Sequence, residues 1–232
     1  MTFIGYATAA LFTACVDANF GLDTDHMGTV IDLGDSKLKE VLQDLKSSPG
    51  YCLMADIVGS TAIKDRDVRE WIRLLANTFN NIRAWTEPRF LKTVGDMLMF
   101  WFPDAQFYAT TSPLTLIQGL DDMNRHKKAK LFLPVRAAVT RCSEAYEISF
   151  MRSGDDVYGK DIDLTARLLD MASEGEIVMN DAFHQVLQGQ YEVCGNKHEF
   201  QVVERIKGPW TVQFRGFSDP VRVFKVRAHR AT

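Results

Sequence analysis

The sequence predicts an α+β domain of ferredoxin-like β-α-β-β-α-β order over residues 49–232, preceded by an N-terminal helical extension over residues 1–48. Two observations carry this prediction. A nearly continuous apolar run, typical of a strand covered on both faces, is followed by the strongest helical periodicity in the chain. A Gly-Asp pair then separates two further apolar runs, as in a two-residue β-hairpin.

The first half of the domain is predicted from these runs. A turn at Ser47–Gly50 precedes a strand at Tyr51–Val58, and Glu87-Pro88 ends the helix that follows. That helix is predicted over Asp67–Thr86 because apolar residues recur at helical spacing, at Val68, Ile72, Leu75, Phe79 and Ile82. The hairpin joins strands at Phe90–Val94 and Met97–Phe102 through Gly95-Asp96.

The remaining elements are predicted from shorter patterns. They are a helix at Leu114–Lys128, a strand at Val135–Arg141, a polar stretch at Ser143–Asp155, a helix at Lys160–Met171, a strand at Glu176–Met179 and a closing strand at Pro220–Val226. Short strands and turns are expected between the last two. In the extension, helices are predicted at Phe3–Val16 and near Ser36–Leu45.

Composition narrows the class of protein. The net charge of -3 and pI of about 6.0 provide no basic field for nucleic acid or an anionic membrane, so neither is expected as a partner. The apolar run Phe3–Val16 is too short to span a bilayer. The four cysteines are scattered and indicate neither a zinc site nor a disulfide framework, which favours a reducing cytoplasm as the location.

Two aspartates are the first candidate functional residues. Asp56 ends a buried strand, where a carboxylate needs an explanation, and Asp96 lies on the hairpin turn. Two such carboxylates suit Mg²⁺ or Mn²⁺ that bridge a triphosphate, with Ile57 as a further candidate metal ligand. Turns between a strand and a helix attract phosphate oxygens, so the candidate phosphate-binding residues are Ile57, Gly59, Ser60 and Thr61.

A third motif runs from Asp156 to Arg167 and reads DVYGKDIDLTAR. Asp163 and Arg167 within it are one helical turn apart and share a face. Taken alone, Asp56 would be a turn cap and Asp96 an ordinary turn residue. The three stretches together, in this order and at these separations, resemble the catalytic domains of class III adenylate and guanylate cyclases over roughly residues 50 to 228.

This resemblance implies a role for each motif residue. Asp56 and Asp96 would bind two divalent metal ions, Mg²⁺ or Mn²⁺, and Lys92 and Asp156 would contact the base. Arg167 would stabilise the transition state. In Phe214–Val221, which resembles the closing basic hairpin of the family, Arg215 would reach the phosphates, although Lys207-Gly208 is a competing match.

Asp163 departs from the family pattern, which has an asparagine that orients the ribose. Three interpretations stay open: Asp163 accepts from a ribose hydroxyl at some cost in rate, it is neutralised by Arg167 or Lys160, or turnover is lost. We favour the first two because both metal carboxylates are retained.

The implied function is cyclisation of a nucleoside triphosphate to a 3′,5′-cyclic nucleotide and diphosphate in a head-to-tail homodimer with shared sites. The Lys92 and Asp156 pair resembles adenylate cyclases, which use ATP. A small chain with an altered ribose position also resembles the bacterial pyrimidine cyclases of antiphage signalling, which form cyclic UMP or cyclic CMP. The choice of base stays open. A catalytically silent nucleotide-binding regulatory module is the alternative function, and polymerases or diguanylate cyclases rank third because their signature is missing.

Overall fold

The structure is a computed structural model that describes residues 29–30, 43–84, 86, 88, 90–104, 106–107, 111–125, 133–149, 156–194 and 197–227. The predicted helix at Phe3–Val16 and nearly all of the one near Ser36–Leu45 lie outside these residues, so the boundary at residue 48 stays a prediction. Within the predicted extension, Thr29–Val30 form a short strand that pairs in parallel with residues 148 and 149.

The elements alternate along the chain. The strands are β1 (Thr29–Val30), β2 (Ser48–Ile57), β3 (Phe90–Val94), β4 (Met97–Pro103), β5 (Val135–Ser149), β6 (Val157–Tyr158), β7 (Glu176–Asn180), β8 (Lys207–Val212) and β9 (Val221–Arg227). The α-helices of the described residues are α1 (Ser60–Arg66), α2 (Val68–Ala84), α3 (Pro113–Arg125), α4 (Lys160–Asp170) and α5 (Asp181–Val193).

The main sheet has the order β3-β4-β2-β5-β7-β9-β8. Its first four strands are antiparallel neighbours, in the order that a ferredoxin-like β-α-β-β-α-β unit requires. β7 is parallel to β5 and is reached through the crossover helix α4. The predicted α+β fold class is therefore confirmed.

Two apolar layers cover the two faces of this sheet. On one face, strand residues such as Leu53 and Phe100 pack with residues of α2, α3 and α5. On the other face, Met54 and Met99 pack with α4, which contributes its own buried side chains, Ile162, Leu164, Leu168 and Leu169. Because side chains alternate along a strand, Asp56 falls on the same face as Met54, the face that carries α4.

Several predicted boundaries were wrong. Ser48–Gly50 belong to β2 rather than to a turn, and Pro49, which cannot donate a ladder hydrogen bond, lies where the pairing with β5 shifts register. The first part of the predicted polar stretch, Ser143–Ser149, continues β5, where it pairs with β6 and β1. In this part of β5, Ser143 and Glu144 are exposed, whereas Ala145 and Ile148 are buried, so the polar residues occupy the solvent-facing positions of a strand.

Helix α2 begins one residue after the predicted start, and the Asp67 carboxylate accepts hydrogen bonds from the main-chain N–H groups of Arg69 and Glu70. The predicted apolar face is partly wrong. Val68 and Ile72 are 55% and 52% exposed, whereas Leu74, Thr78 and Ile82 are buried. The buried stripe is therefore rotated, which a count of apolar residues alone could not show.

Helix α5 was missed, because Asp181–Val193 fell in a region where only short strands and turns were expected. The Asn180 side chain caps it by accepting from the Phe183 N–H at 3.0 Å, and Phe183 and Leu187 are buried one helical turn apart. An Asn followed by an apolar pair at this spacing was the available signal.

Candidate active site

Asp56 lies near the end of β2, directly opposite Met97 of β4 on one side and Arg136 of β5 on the other. Its Oδ2 accepts from the Arg136 guanidinium, with Nε at 2.8 Å and Nη2 at 2.7 Å. The side chain of Asp56 is 19% exposed. The Asp56 carboxylate is thus paired with a guanidinium through two hydrogen bonds and still reaches solvent.

Asp96 lies at the tip of the β3–β4 hairpin, where Gly95 takes a φ of +64° that other residues rarely adopt. Its Oδ2 accepts from the Ser60 hydroxyl and lies 3.7 Å from the Lys64 ammonium. Burial raises the pKa of Asp96, but the hydrogen bonds from Ser60 and from its own main chain, with the charge of Lys64, outweigh this and keep the pKa below the ordinary value.

The pairing of the strands brings the two aspartates together. Asp56 is in register with Met97, the residue that follows Asp96, and the Ser60 hydroxyl links the start of α1 to Asp96. We call the set Asp56, Asp96, Ser60, Lys64 and Arg136 the carboxylate half-site.

The turn Ile57–Thr61 connects β2 to α1. Gly59 precedes the helix with a φ of 76°, a backbone conformation that favours glycine. A Cβ at this position would meet nothing within 4 Å, so the backbone conformation, and not a lack of space, accounts for the glycine. Ile57 has its side chain in the core, which leaves only its main-chain carbonyl as a possible metal ligand. Ser60 is buried against Asp96, and Thr61 is exposed.

Lys92 and Asp156 meet in the structure, although they are far apart in the sequence. The Lys92 ammonium is 2.5 Å from Oδ2 of Asp156, which also accepts from the Tyr158 hydroxyl at 3.3 Å. Oδ1 of Asp156 accepts from the Val157 N–H at 2.9 Å. Lys92 lies on β3 opposite Met99, and therefore on the sheet face that carries α4. Both residues expected to contact the base thus form one polar pair.

Asp163 and Arg167 lie on the exposed side of α4, whose other side packs on the sheet. Neither side chain forms a hydrogen bond or ion pair with another of the described residues, so neither Arg167 nor Lys160 neutralises Asp163 within one chain. The Thr165 hydroxyl anchors α4, since it lies 2.6 Å from that of Thr140 on β5. We call Asp163 and Arg167 the α4 half-site.

Arg215 lies in the loop between β8 and β9, and its side chain is exposed. The sheet order separates this loop from β2, and the structure does not bring Arg215 to Asp56 of its own chain. The loop instead lies near the start of α4, where the Lys160 ammonium is 5.5 Å from the centre of the Phe217 ring. Arg215 therefore belongs with the α4 side of the molecule.

The carboxylate half-site fits a divalent ion only if further ligands join its two carboxylates. Within the ranges that the structure describes, no group of three or more His, Cys, Asp and Glu side chains could hold a metal ion. Mg²⁺ is commonly bound by one or two carboxylates together with substrate phosphates. Two aspartates, one of them with a lowered pKa, match that donor set, and the remaining ligands would come from the Ile57 carbonyl, water and phosphate.

Arg136 and Lys64 are functional candidates that the sequence analysis missed. Arg136 is a lone charge in the apolar run Val135–Val139, just as Asp56 is in β2. An isolated charge in each of two buried strands indicates an ion pair between them, because a buried charge needs a partner. Lys64 offered a weaker signal, namely its position one helical turn after Ser60.

Solved structures share this fold. The adenylyl cyclase CyaB from P. aeruginosa has a TM-score of 0.60 at 20% identity, over 81% of this chain and 98% of that one. The guanylate cyclase domain of RhGC from Catenaria anguillulae, in complex with GTP, has a TM-score of 0.58 at 14% identity, over 80% and 100%. For the guanylyl cyclase Cya2 the TM-score is 0.56 at 18% identity, over 78% and 93%. No family model and no curated protein matches the sequence.

Every helix of the described residues is too short or too polar to cross a membrane.

Proposed function

Because the chain has the fold of class III nucleotidyl cyclase catalytic domains, as its motifs predicted, we propose that it is a metal-dependent nucleotidyl cyclase. It would convert a ribonucleoside triphosphate to a 3′,5′-cyclic nucleotide and diphosphate. The observation that carries this proposal is the carboxylate half-site, in which strand pairing brings Asp56 and Asp96 to one end of the sheet.

The reaction needs a nucleophilic ribose 3′-oxygen and a stabilised diphosphate leaving group. Bound divalent ions supply Lewis acidity at both places, and Asp56 and Asp96 are the residues that would hold them. Arg136, beside Asp56, is placed to meet phosphate oxygens next to that carboxylate. Arg167 would meet the charge that develops at the α-phosphoryl group, where a fixed cation acts most strongly on the transition state.

The exposure of the α4 half-site supports a head-to-tail homodimer. Asp163 and Arg167 face away from their own sheet and contact none of the carboxylate half-site in one chain. In a two-fold pair, the α4 half-site of one copy would complete the carboxylate half-site of the other, which gives two equivalent sites. Arg215, on the α4 side, would then approach the phosphates bound by the other copy.

Asp163 would face the ribose as an acceptor. An asparagine at this position donates and accepts, whereas an ionised carboxylate only accepts, and it would lie near an anionic substrate. Asp163 forms no ion pair with the described residues of its own chain, and in the proposed dimer the second copy and the metal ions would supply positive charge near it. We propose that the cost is a reduced rate rather than loss of turnover.

The base is either adenine or a pyrimidine. The exocyclic amines of adenine and cytosine can both donate to Asp156, and Lys92 can donate to a ring nitrogen or a carbonyl. The contact between Lys92 and Asp156 supports their joint use in base recognition but favours neither class. A role of the product in antiphage signalling belongs to the pyrimidine case, and a cytoplasmic location agrees with the scattered cysteines, of which the three described ones, Cys52, Cys142 and Cys194, are free thiols.

The test is direct. The purified full chain is incubated with Mn²⁺ and each of ATP, GTP, CTP and UTP, and the products are separated by mass. We expect one cyclic nucleotide and diphosphate in equal amounts. Conversion of none of the four would reject the enzyme. Mn²⁺-dependent stabilisation by a triphosphate without product would instead identify the silent binding module.

A further inference from the structure

Among the residues that the structure describes, Lys64 is the cation that pairs with Asp96. It lies in α1, one helical turn after Ser60 and on the same side of the helix, so both residues reach the hairpin tip. Its ammonium is 3.7 Å from Oδ2 of Asp96 and 4.3 Å from the centre of the Trp71 ring. The side chain is 34% exposed, so it is supported on one side by the indole and open to solvent on the other.

Lys64 and Ser60 both contact the Asp96 carboxylate at Oδ2, so a divalent ion bound to this carboxylate would lie close to the Lys64 ammonium and repel it. Oδ2 of Asp96 already accepts from Ser60, and the ammonium shares it at a distance longer than a direct hydrogen bond. Ion pairs between partly exposed side chains contribute little to stability, because solvent screens them. A divalent ion can therefore displace Lys64 from the carboxylate at small cost.

Charge balance indicates where the displaced ammonium goes. Within the carboxylate half-site, Asp56 and Asp96 are matched by Arg136 and Lys64. The positive charge of two divalent ions also equals the negative charge of a fully ionised nucleoside triphosphate. The loaded half-site therefore has no net formal charge only when Arg136 and Lys64 both remain in it. Metal on the aspartates leaves phosphate oxygens as the negative groups nearest to Lys64, and a lysine is a flexible point charge that can follow them.

We propose that Lys64 is a further phosphate-binding residue, which gives up Asp96 to the metal ion and takes an outer phosphate oxygen of the triphosphate. This inference rests on the proposed function for the identity of the substrate. The role is distinct from that of a structural ion pair, because Lys64 opposes the metal ion when no triphosphate is present and assists binding when both are.

The test compares Lys64→Met with wild type in the full chain, without turnover. Methionine keeps an apolar stem over Trp71 and removes the charge. Affinity for Mn²⁺ alone is measured from the free-ion electron paramagnetic resonance signal, and affinity for inorganic tripolyphosphate with Mn²⁺ by calorimetry. We expect Mn²⁺ to bind about two- to fivefold more tightly, as loss of a weak competing ion pair implies. Tripolyphosphate should bind about tenfold or more weakly, because one charge-assisted contact is lost.

Arg66→Gln is the matched control, since it removes one positive charge from the exposed surface of the same helix. Both affinities should stay at wild-type values in this variant, and Lys64→Arg should restore most of the tripolyphosphate affinity. Tighter binding of Mn²⁺ together with weaker binding of tripolyphosphate in Lys64→Met is the result that distinguishes the proposed role from that of a structural ion pair. If Mn²⁺ affinity in Lys64→Met is unchanged, lowered or undetectable, or if tripolyphosphate affinity is unchanged, the proposal is overturned.

Neither measurement depends on the base or on cyclisation. Failure of the proposed function would appear as no cyclic product from any of the four ribonucleoside triphosphates, with the two affinities still readable. Failure of the Lys64 proposal would appear in the affinities while wild type still forms a cyclic product. The two outcomes are therefore distinguishable.

Discussion

The carboxylate half-site and the α4 half-site differ in how far one chain satisfies them. Asp56 is paired with Arg136, and Asp96 with Ser60 and Lys64. Asp163 and Arg167 project from α4 without a partner among the described residues. A charged group that is paired inside its own chain contributes to folding, whereas an unpaired exposed one contributes little. Substitutions in the first half-site should therefore change both stability and activity, and those in the second should change activity alone.

The largest expected effect is that of Asp56→Asn. In the proposed function Asp56 holds a metal ion, and loss of such a carboxylate would remove several kcal/mol of transition-state stabilisation, so we expect kcat/KM to fall by about 10³-fold. The same variant leaves the Arg136 guanidinium without its carboxylate, so the midpoint of urea unfolding should also fall.

Asp65→Asn is the control for this experiment, because it changes an exposed aspartate of α1. It should leave both the activity and the unfolding midpoint unchanged. Wild-type activity in Asp56→Asn would reject the metal assignment of Asp56, and an unchanged unfolding midpoint would reject the stabilising role of its pair with Arg136.

The second effect tests whether the two half-sites come from different copies. Arg167→Gln should lower kcat/KM by about 10²-fold, since it removes one fixed cation from the transition state, and should leave the unfolding midpoint within about 0.5 kcal/mol of wild type. Mixing it with Asp56→Asn should restore about a quarter of wild-type activity, because half of the random pairs are mixed and each has one intact site.

The measurement is product formation as a function of the mixing ratio, with each variant alone at the same total concentration as control. Activity that stays at the level of the separate variants, under conditions where light scattering shows exchanging dimers, would mean that both half-sites act within one chain.

The elements that the sequence predicted well are those with strong local signals. The β3–β4 hairpin with Gly95-Asp96 is found as predicted, and so is the helix α4, on which Asp163 and Arg167 share a face. The contact between Lys92 and Asp156 was anticipated only as a shared role in base recognition, which the family resemblance implied. Local patterns and motif register were enough for these features.

What the sequence could not provide depends on pairing across the sheet. Arg136 is 80 residues from Asp56 in the chain and becomes its partner only because β2 and β5 are adjacent. The rotation of α2, which exposes Val68 and Ile72, is set by the packing of its neighbours. The helix α5 was missed for a different reason. Its capping signal at Asn180 is local, but it is too short to distinguish a helix from a turn.

A smaller effect should come from Asp163→Asn. Asparagine can donate as well as accept at the ribose and removes a negative charge near the triphosphate. We therefore expect kcat to rise by about three- to tenfold, the range of one hydrogen bond of about 1 kcal/mol, with no change in the unfolding midpoint. Steady-state kinetics with the preferred triphosphate measures this. A fall in kcat would show that the carboxylate itself is required for turnover.

The smallest effect concerns stability and pH at Asp96. Its pKa in the folded chain is lowered, so its ionised form stabilises the fold above the ordinary carboxyl range, and this contribution is lost as the pH falls through the lowered value, from about pH 4 downwards. Without metal ions, Asp96→Asn should be less stable than wild type at pH 7 by under about 1 kcal/mol, because the side chain is partly exposed, and the difference should shrink towards pH 3.

Urea unfolding at pH 7 and pH 3 measures this difference in stability. Ser60→Ala should reduce the same difference, because it removes a hydrogen bond that lowers the pKa of Asp96. A difference that grows on acidification would mean that Asp96 is not held in its charged form by its own chain, and the contrast with the α4 half-site would then fail at this residue.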